Sequence, residues 1–237
     1  MVELSLDAHT SSKMSRRTYQ TLLVSRDLWL DDLIIDAYFR LLQDRDQLSI
    51  SFSLHFFNKW FGSDPQQTRR TRASAKVKDP NSKYKTLVPK WGKKSALEAG
   101  FDSIFEAKKL YVPVPLSHHW ALVEVDFNQQ IVSYFDSKWG DGSKYLAAMV
   151  DFLECEFKAN NTGQDIPVWK VIKTAACPWQ GNPFDCGVFV CLMGDILSSG
   201  NSVEDAFSQD DLDRDNLRIR RNILLDIHAS KLSRSGS

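Results

Sequence analysis

This sequence has few cysteines, no excess of charge of either sign and no long apolar run. Its 237 residues include 4 cysteines, with no CxxC pair and no Cys/His knuckle, a pattern that speaks against structural zinc and against a disulfide framework. Thirty Lys and Arg residues balance thirty Asp and Glu residues, so net charge gives no reason to expect nucleic acid or a membrane surface as the main partner. The most apolar stretch, Gly187–Gly194, is far too short to span a bilayer.

The first residues also lack a basic patch followed by an apolar block, so we see no secretory signal and expect an intracellular protein. A hydrophobic content of 43% with 25% charged residues is ordinary for a folded globular protein. We expect one domain over residues 21–230, with a polar tail over 1–20 and a frayed end over 231–237. Residues 63–86 carry seven Lys or Arg, which predicts an exposed basic loop that is either solvated or in contact with an anionic partner.

Apolar periodicity predicts blocks of helices and strands along the chain. Helical spacing begins near Asp31 or Asp32 and recurs over Ser53–Phe61. Strands are predicted over 109–115, 119–125, 130–136 and 168–172, and further helices over 143–157, from Cys186, and over 213–230. Helices, then a small antiparallel sheet, then helices indicate one α+β domain. In the last helix we expect Leu217, Ile223, Leu224 and Ile227 inside, with Arg218, Arg220 and Arg221 around them.

One short motif contains a candidate catalytic cysteine. Asp185-Cys186-Gly187 lies where a Pro- and Gly-containing loop meets a predicted helix. A cysteine at a helix N-terminus is close to unpaired N–H groups and to the positive end of the helix dipole, both of which stabilise a thiolate. The following glycine would allow a substrate backbone to approach closely. The other cysteines, at 155, 177 and 191, are interpreted as buried thiols.

A thiolate nucleophile needs a histidine, and two strand ends supply one together with a carboxylate. His119 begins one predicted strand and Asp136 ends the next, so a hairpin would bring both to one edge of the sheet. The carboxylate could then accept a hydrogen bond from the imidazole and fix its tautomer. His118 would point to the opposite face of the strand. Gln180, six residues before Cys186, could direct its amide at a developing oxyanion.

Several motifs occur in a defined order along the chain. His119-Trp120, the run Tyr134-Phe-Asp-Ser137 and Gln180 ahead of Cys186-Gly187 give the order His…Asp…Gln…Cys. Trp29-Leu-Asp-Asp-Leu-Ile-Ile35 and an arginine-rich C-terminal helix flank them. Together these motifs resemble the ubiquitin-like-protein-specific cysteine proteases, the SUMO (sentrin) protease family. The similarity covers about residues 20–228.

The resemblance implies an α+β, papain-like cysteine protease fold, in which helices flank a small mixed or antiparallel sheet and the catalytic residues follow the adenain-like order His…Asp…Cys. It implies that Cys186 is the nucleophile and that His119 is the general base and later the acid. Asp136 would orient His119, and Gln180 would donate a hydrogen bond to the oxyanion. One departure from the family is Trp179, which stands where a glutamine usually precedes the residue matched by Gln180.

The resemblance also implies how a substrate binds. Trp29 and Trp120 match two tryptophans that enclose the modifier's Gly-Gly tail in a narrow tunnel, and Asp32 matches an acidic contact to the body of the modifier. Only glycine is thin enough to pass between two indoles, so the tunnel selects a C-terminal diglycine. The implied reaction is cleavage after the Gly-Gly of a ubiquitin-like modifier, from a lysine conjugate or from a precursor. The DSKWG segment at 136–140 and the arginine-rich helix favour SUMO.

This reaction requires no metal or organic cofactor. We expect a monomer that acts in the nucleus or cytoplasm, or inside a host cell if it is a microbial effector, without membrane or specific nucleic-acid contacts. Three alternatives stay open. The same chemistry could act on the neddylation modifier or ubiquitin, an effector-type acetyltransferase could use the same His…acid…Cys order, and a binding module could hold a modifier without cutting it.

Overall fold

The computed structural model describes residues 27–61, 88–160 and 165–229. Three predicted segments lie wholly or almost wholly outside these ranges: the tail over 1–20, the basic loop over 63–86 and the end over 231–237. Within the described ranges, no helix combines the length and the apolar character needed to cross a membrane.

Six α-helices and five strands make up the regular structure of the described residues. The helices are α1 (Asp32–Asp46), α2 (His55–Phe61), α3 (Val88–Glu98), α4 (Ser143–Asn160), α5 (Cys186–Ser198) and α6 (Gln209–Ala229). The strands are β1 (Ser49–Ser51), β2 (Lys109–Leu116), β3 (His119–Asp126), β4 (Ile131–Phe135) and β5 (Lys170–Ile172). The predicted α+β class and the predicted elements are confirmed, whereas β1 and α3 are additions to the prediction.

The strands form one mixed sheet in the order β1-β2-β3-β4-β5. Its centre, β2 to β4, is antiparallel, while β1 runs parallel to β2 and β5 runs parallel to β4. A two-residue turn joins β2 to β3, and His118 takes a left-handed conformation there with φ of 59°, as tight hairpin turns often require. Between β3 and β4 the register pairs Leu122 with Phe135. The start of β3 and the end of β4 therefore lie at the same end of the sheet.

A separate hydrophobic core covers each face of the sheet. Tyr111 and Leu122 belong to the core that includes residues of α1, α5 and α6. Val112 and Val123 belong to the core formed with residues of α2, α3 and α4. Because both faces are covered, the strands are near-continuous apolar runs rather than alternating ones. The helix that begins at Cys186 thus shares one face of the sheet with α1 and α6.

The first helix begins where the sequence predicts it. Asp31 is the N-cap, and its Oδ1 accepts a hydrogen bond from the backbone N–H of Ile34 at 3.1 Å. Asp32 follows in the first turn, where the helix dipole favours a negative charge. The helix ends at Gln47, which adopts a left-handed conformation with φ of 50°. The N-cap bond of Asp31 holds the segment that precedes α1 at the entry to the helix.

The last helix differs from the prediction in what it buries. It begins at Gln209, before the predicted start at 213. Leu217, expected in the core, is 38% exposed, whereas Arg220, expected outside, is fully buried. Helical periodicity fails here because the guanidinium finds a charged partner inside the protein: Nη2 of Arg220 lies 2.7 Å from Oδ1 of Asp185. A buried arginine of this kind requires such a partner.

One carboxylate on α4 is buried without comparable support. Among the described residues, Oε2 of Glu156 has no hydrogen-bond partner, and Oε1 receives a long bond of 3.4 Å from Nδ2 of Asn160. Helix α3 packs against it so closely that a Cβ at Gly92 would lie 2.7 Å from Oε1. Burial raises the pKa of Glu156 to about 7.

We expect Glu156→Gln to stabilise the protein at pH 8 and to change its stability little at pH 4. The unfolded chain loses this proton near the usual pKa of 4.5, but the folded protein keeps it up to about pH 7. The wild type therefore loses folding stability as pH rises between these values, by about 3 kcal/mol in total. Urea denaturation at the two pH values measures the difference.

The control for this variant is Glu154→Gln on the same helix, because Glu154 is partly exposed and lies near Lys158. Equal effects of Glu156→Gln at both pH values would show that the pKa of Glu156 is the same in the folded and the unfolded protein.

Candidate active site

The hairpin of β3 and β4 brings a histidine and a carboxylate together at one end of the sheet. His119 is the first residue of β3, and Asp136 directly follows β4. Nε2 of His119 lies 2.6 Å from Oδ1 of Asp136, and the two side chains are only 17% and 4% exposed. The neighbouring His118 lies in the turn before β3. The structure thus joins His119, rather than His118, to Asp136.

Asp136 is held from several directions. The backbone N–H of Lys138 donates to Oδ1 at 2.7 Å, and the hydroxyl of Tyr134 donates to Oδ2 at 3.4 Å. Burial acts to raise the pKa of Asp136, but hydrogen bonds from His119 and from the backbone N–H groups of Lys138 and Gly140 hold it below its usual value. A Cβ at Gly140 would lie 2.5 Å from Oδ2. Asp136 is therefore an ionised carboxylate in a closely fitted site.

The side chain of Cys186 lies close enough to His119 to act on its pKa. Burial acts to lower the pKa of His119, but the hydrogen bond to Asp136 and the favourable interactions with Asp136 and Cys186 raise it to about 9. Since Nε2 contacts Asp136, Nδ1 is the ring nitrogen left for the thiol. The imidazole is therefore protonated at neutral pH, and an imidazolium beside a thiol favours the thiolate.

Cys186 is the first residue of α5 and is only 1% exposed. Its position places the thiol at the positive end of the helix dipole. Cys177 is different, because its Sγ donates to the backbone oxygen of Asp136 at 3.4 Å and burial raises its pKa to about 11. Burial also raises the pKa of Cys191. Both of these thiols are protonated at neutral pH, which leaves Cys186 as the candidate nucleophile beside the histidine.

The side chain of Gln180 is fully buried in the loop before α5 and is fixed at both ends. Oε1 accepts a hydrogen bond from the hydroxyl of Ser137, and Nε2 donates to the backbone oxygen of Asn182, both at 2.7 Å. An amide nitrogen carries two hydrogens, so the second one remains for an oxyanion. The oxyanion role of Gln180 stays a prediction. Ser137 orients this amide, and its place directly after Asp136 is the only sign of this role in the sequence.

The three residues predicted to bind substrate lie on two elements. Trp29 precedes α1, is 39% exposed and packs edge-on against His118, with ring centroids 5.2 Å apart. Trp120 follows His119 in β3 and is half-buried against the core on the α5 face. Asp32 is exposed at the start of α1. Both tryptophans thus lie at the histidine end of the sheet, and the ring of His118 lies beside the indole of Trp29. The tunnel and the acidic contact stay predictions.

Gly187 has a packing role that its motif does not predict. The approach of a substrate backbone at this glycine stays a prediction. In the structure a Cβ at Gly187 would lie 2.8 Å from Cβ of Leu30. Leu30 directly follows Trp29 and is 2% exposed. The glycine therefore lets the segment before α1, which carries Trp29, pack on α5, the helix that begins with Cys186.

The arrangement supplies the groups that acyl transfer requires: a nucleophile, a proton carrier, an orienting carboxylate and a fixed amide donor. They come from β3, from the residue after β4, from the loop before α5 and from the first turn of α5. Among the described residues, no group of three or more His, Cys, Asp or Glu side chains is placed to hold a metal ion.

Comparisons with known proteins match most of the chain. Residues 28–230 match the model of the Ulp1 protease family, C-terminal catalytic domain. Human sentrin-specific protease 5 is 28% identical over 196 residues, which cover 82% of this chain and 22% of that protein. A sentrin-specific protease of Caenorhabditis elegans is 28% identical over 172 residues, which cover 72% of this chain and 22% of that protein. The chain thus spans about a fifth of the length of these two relatives.

A solved structure shares the fold. The C-terminal Ulp1 protease domain, solved in complex with Smt3, the yeast ortholog of SUMO, superposes with a TM-score of 0.64 at 21% identity. The superposition covers 90% of this chain and 81% of that domain. The papain-like architecture expected from the sequence is therefore confirmed.

We expect Gly140→Ala to slow alkylation of Cys186 by iodoacetamide at pH 7 by about tenfold or more, because the new methyl group displaces the Asp136 carboxylate and weakens the imidazolium. The measurement is the second-order rate constant, with the thermal midpoint recorded in parallel.

The same substitution in an Asp136→Asn background serves as the control. If Gly140 acts through Asp136, the second change has little further effect. Full additivity of the two effects would show that Gly140→Ala acts elsewhere.

Proposed function

Because this chain belongs to the Ulp1 protease family, we propose that it is a cysteine peptidase domain that cleaves after the C-terminal Gly-Gly of a ubiquitin-like modifier, with SUMO as the preferred modifier. The observation that carries the proposal is the 2.6 Å contact between His119 and Asp136, with Cys186 at the start of a helix and close enough to act on the pKa of His119. Both isopeptide conjugates and precursors present the bond that such a site attacks.

In the acylation step, Sγ of Cys186 attacks the carbonyl carbon of the terminal glycine. The carbon–nitrogen bond breaks, and protonated His119 gives its proton to the departing amine. The product is a thioester between Cys186 and the modifier. Asp136 remains ionised throughout and holds the imidazole through Nε2.

In the deacylation step, His119 is neutral and takes a proton from water as the water attacks the thioester carbonyl. The carbon–sulfur bond breaks, and the thiolate and imidazolium form again. In both steps negative charge develops on the carbonyl oxygen. The remaining N–H of the Gln180 amide and the backbone N–H of Cys186 are our candidates to stabilise it.

The choice of modifier is assigned to the surface around Trp29. An exposed indole backed by His118, with Trp120 on the neighbouring strand, suits a tail of two glycines, which has no side chains to clash with the rings. Asp32 would contact the body of the modifier. Support for SUMO comes from the relatives that are named sentrin-specific proteases and from the Ulp1 domain solved with Smt3.

We further propose that the domain acts as a monomer inside cells, in the nucleus or cytoplasm, and needs no metal, organic cofactor, membrane or nucleic acid for this reaction. The neddylation modifier and ubiquitin are the alternative substrates. An acetyltransferase and a non-catalytic binding module are the alternative functions, which acetyl-carrier turnover and modifier binding would separate.

We expect the protein to form a covalent adduct with SUMO that carries a C-terminal vinyl sulfone, and to react more slowly with the same probe built on the neddylation modifier or ubiquitin. A gel shift measures the adduct. Cys186→Ala should abolish it, because the probe reacts with a thiolate held against the tail. Cys155→Ala, which removes a half-buried thiol on α4, is the matched control and should leave the adduct unchanged.

An adduct that persists in Cys186→Ala would refute the assigned nucleophile. If the probe built on ubiquitin or on the neddylation modifier reacts faster, that modifier, rather than SUMO, is the preferred substrate. If no probe reacts although Cys186 is alkylated by iodoacetamide, the proposed function is wrong, and acetyl-carrier turnover and modifier binding are the assays that remain.

A further inference from the structure

The side chain of Asp185, the residue before the nucleophile, does not cap the helix that it precedes. Asp185 is the N-cap of α5, and aspartate at an N-cap normally accepts hydrogen bonds from the backbone N–H groups of the first turn. Its side chain makes no such bond. Asp31 at the start of α1 shows the usual arrangement, since its Oδ1 accepts from the N–H of Ile34. Two aspartates at equivalent helix positions thus behave differently in one protein.

The carboxylate of Asp185 is held instead by side chains of α6 and of the loop before α5. Nη2 of Arg220 donates to Oδ1 at 2.7 Å, and Nδ2 of Asn216 lies within 3.0 Å of both oxygens. Nδ2 of Asn182 donates to Oδ2 at 2.7 Å, and Nε2 of Gln209 lies 3.4 Å from the same oxygen. Asp185 and Arg220 are both fully buried, so their charges attract each other in a medium that screens them weakly.

Arg220 is itself fixed by two further bonds. Its Nε donates to Oδ1 of Asn216, and its Nη1 donates to the backbone oxygen of Leu28, both at 2.7 Å. Leu28 directly precedes Trp29. One guanidinium therefore connects the segment in front of α1 with the residue in front of the nucleophile, and its planar group suits such a set of acceptors better than a lysine would.

We propose that Arg220 is a positioning residue that keeps the Asp185 carboxylate from capping α5, so that the helix N-terminus remains open to the thiolate of Cys186 and to the oxyanion. If the carboxylate turned back, it would occupy the N–H groups of Gly187 and Val188 and place a negative charge beside the thiolate. Both effects would weaken the nucleophile. The inference about the oxyanion rests on the proposed function, whereas the inference about the thiolate does not.

A purely structural role for the ion pair makes a different prediction. If Arg220 only supported the fold, removing both charged partners would damage the site at least as much as removing one. If Arg220 restrains Asp185, removing both partners should restore the nucleophile, because no carboxylate is left to cap the helix. The order of reactivities therefore separates the two roles, even where all variants lose some stability.

The test is the rate of alkylation of Cys186 by iodoacetamide at pH 7 in the full chain. We expect Arg220→Met to react about tenfold more slowly than the wild type, and Asp185→Ala/Arg220→Met to recover to within about threefold of it. Arg218→Met is the matched control, since Arg218 is exposed on the same helix and paired with Asp215, and it should react like the wild type. Thermal midpoints are measured for every variant.

A double variant as slow as Arg220→Met, or an Arg220→Met variant as fast as the wild type, would overturn the proposal. If Arg220→Met does not fold, Arg220→Lys with and without Asp185→Ala is compared in the same way, and failure of Asp185→Ala to speed the reaction overturns it. Cleavage of a SUMO precursor by the wild type is assayed in parallel. Absence of cleavage with the expected alkylation order would refute the proposed function and leave this inference intact.

Discussion

The register between β3 and β4 is the constraint on which the site depends. Pairing Leu122 with Phe135 is what brings His119 within 2.6 Å of Asp136. Because side chains alternate between the two faces of a sheet, a slip of one residue would turn one partner away from the other. The same slip would exchange residues between two different hydrophobic cores. Apolar packing along the whole hairpin therefore maintains the geometry of two polar atoms at its end.

Much of this site could be predicted from the sequence because its parts are local. The apolar runs define β3 and β4, their short connection implies a hairpin, and a hairpin places His119 and Asp136 together. The junction of a loop with an apolar helix marks Cys186. What no local pattern supplies is the distance between that helix and the sheet. Motif order, compared with a known family, joined the two parts of the site, and in the structure Cys186 lies close enough to His119 to act on its pKa.

The features that escaped prediction depend on contacts between distant segments. Strand β1 has only three residues, too few to show a period, and α3 contains Gly92 in its interior, which disfavours helix in isolation. Burial of Arg220 depends on Asp185, and the need for Gly187 depends on Leu30. None of these partners is near in sequence. Each error follows from treating a residue by its own hydropathy or flexibility, when tertiary packing decided its environment.

The bond between Arg220 and the backbone of Leu28 joins residues separated by 192 positions. During synthesis on a ribosome, Leu28 leaves the exit tunnel long before Arg220 has been added to the chain. If Arg220 arranges the start of α5, Cys186 reaches its reactive form only after α6 has emerged and folded. A partly made chain would then carry a thiol that is already in place in sequence but not yet activated.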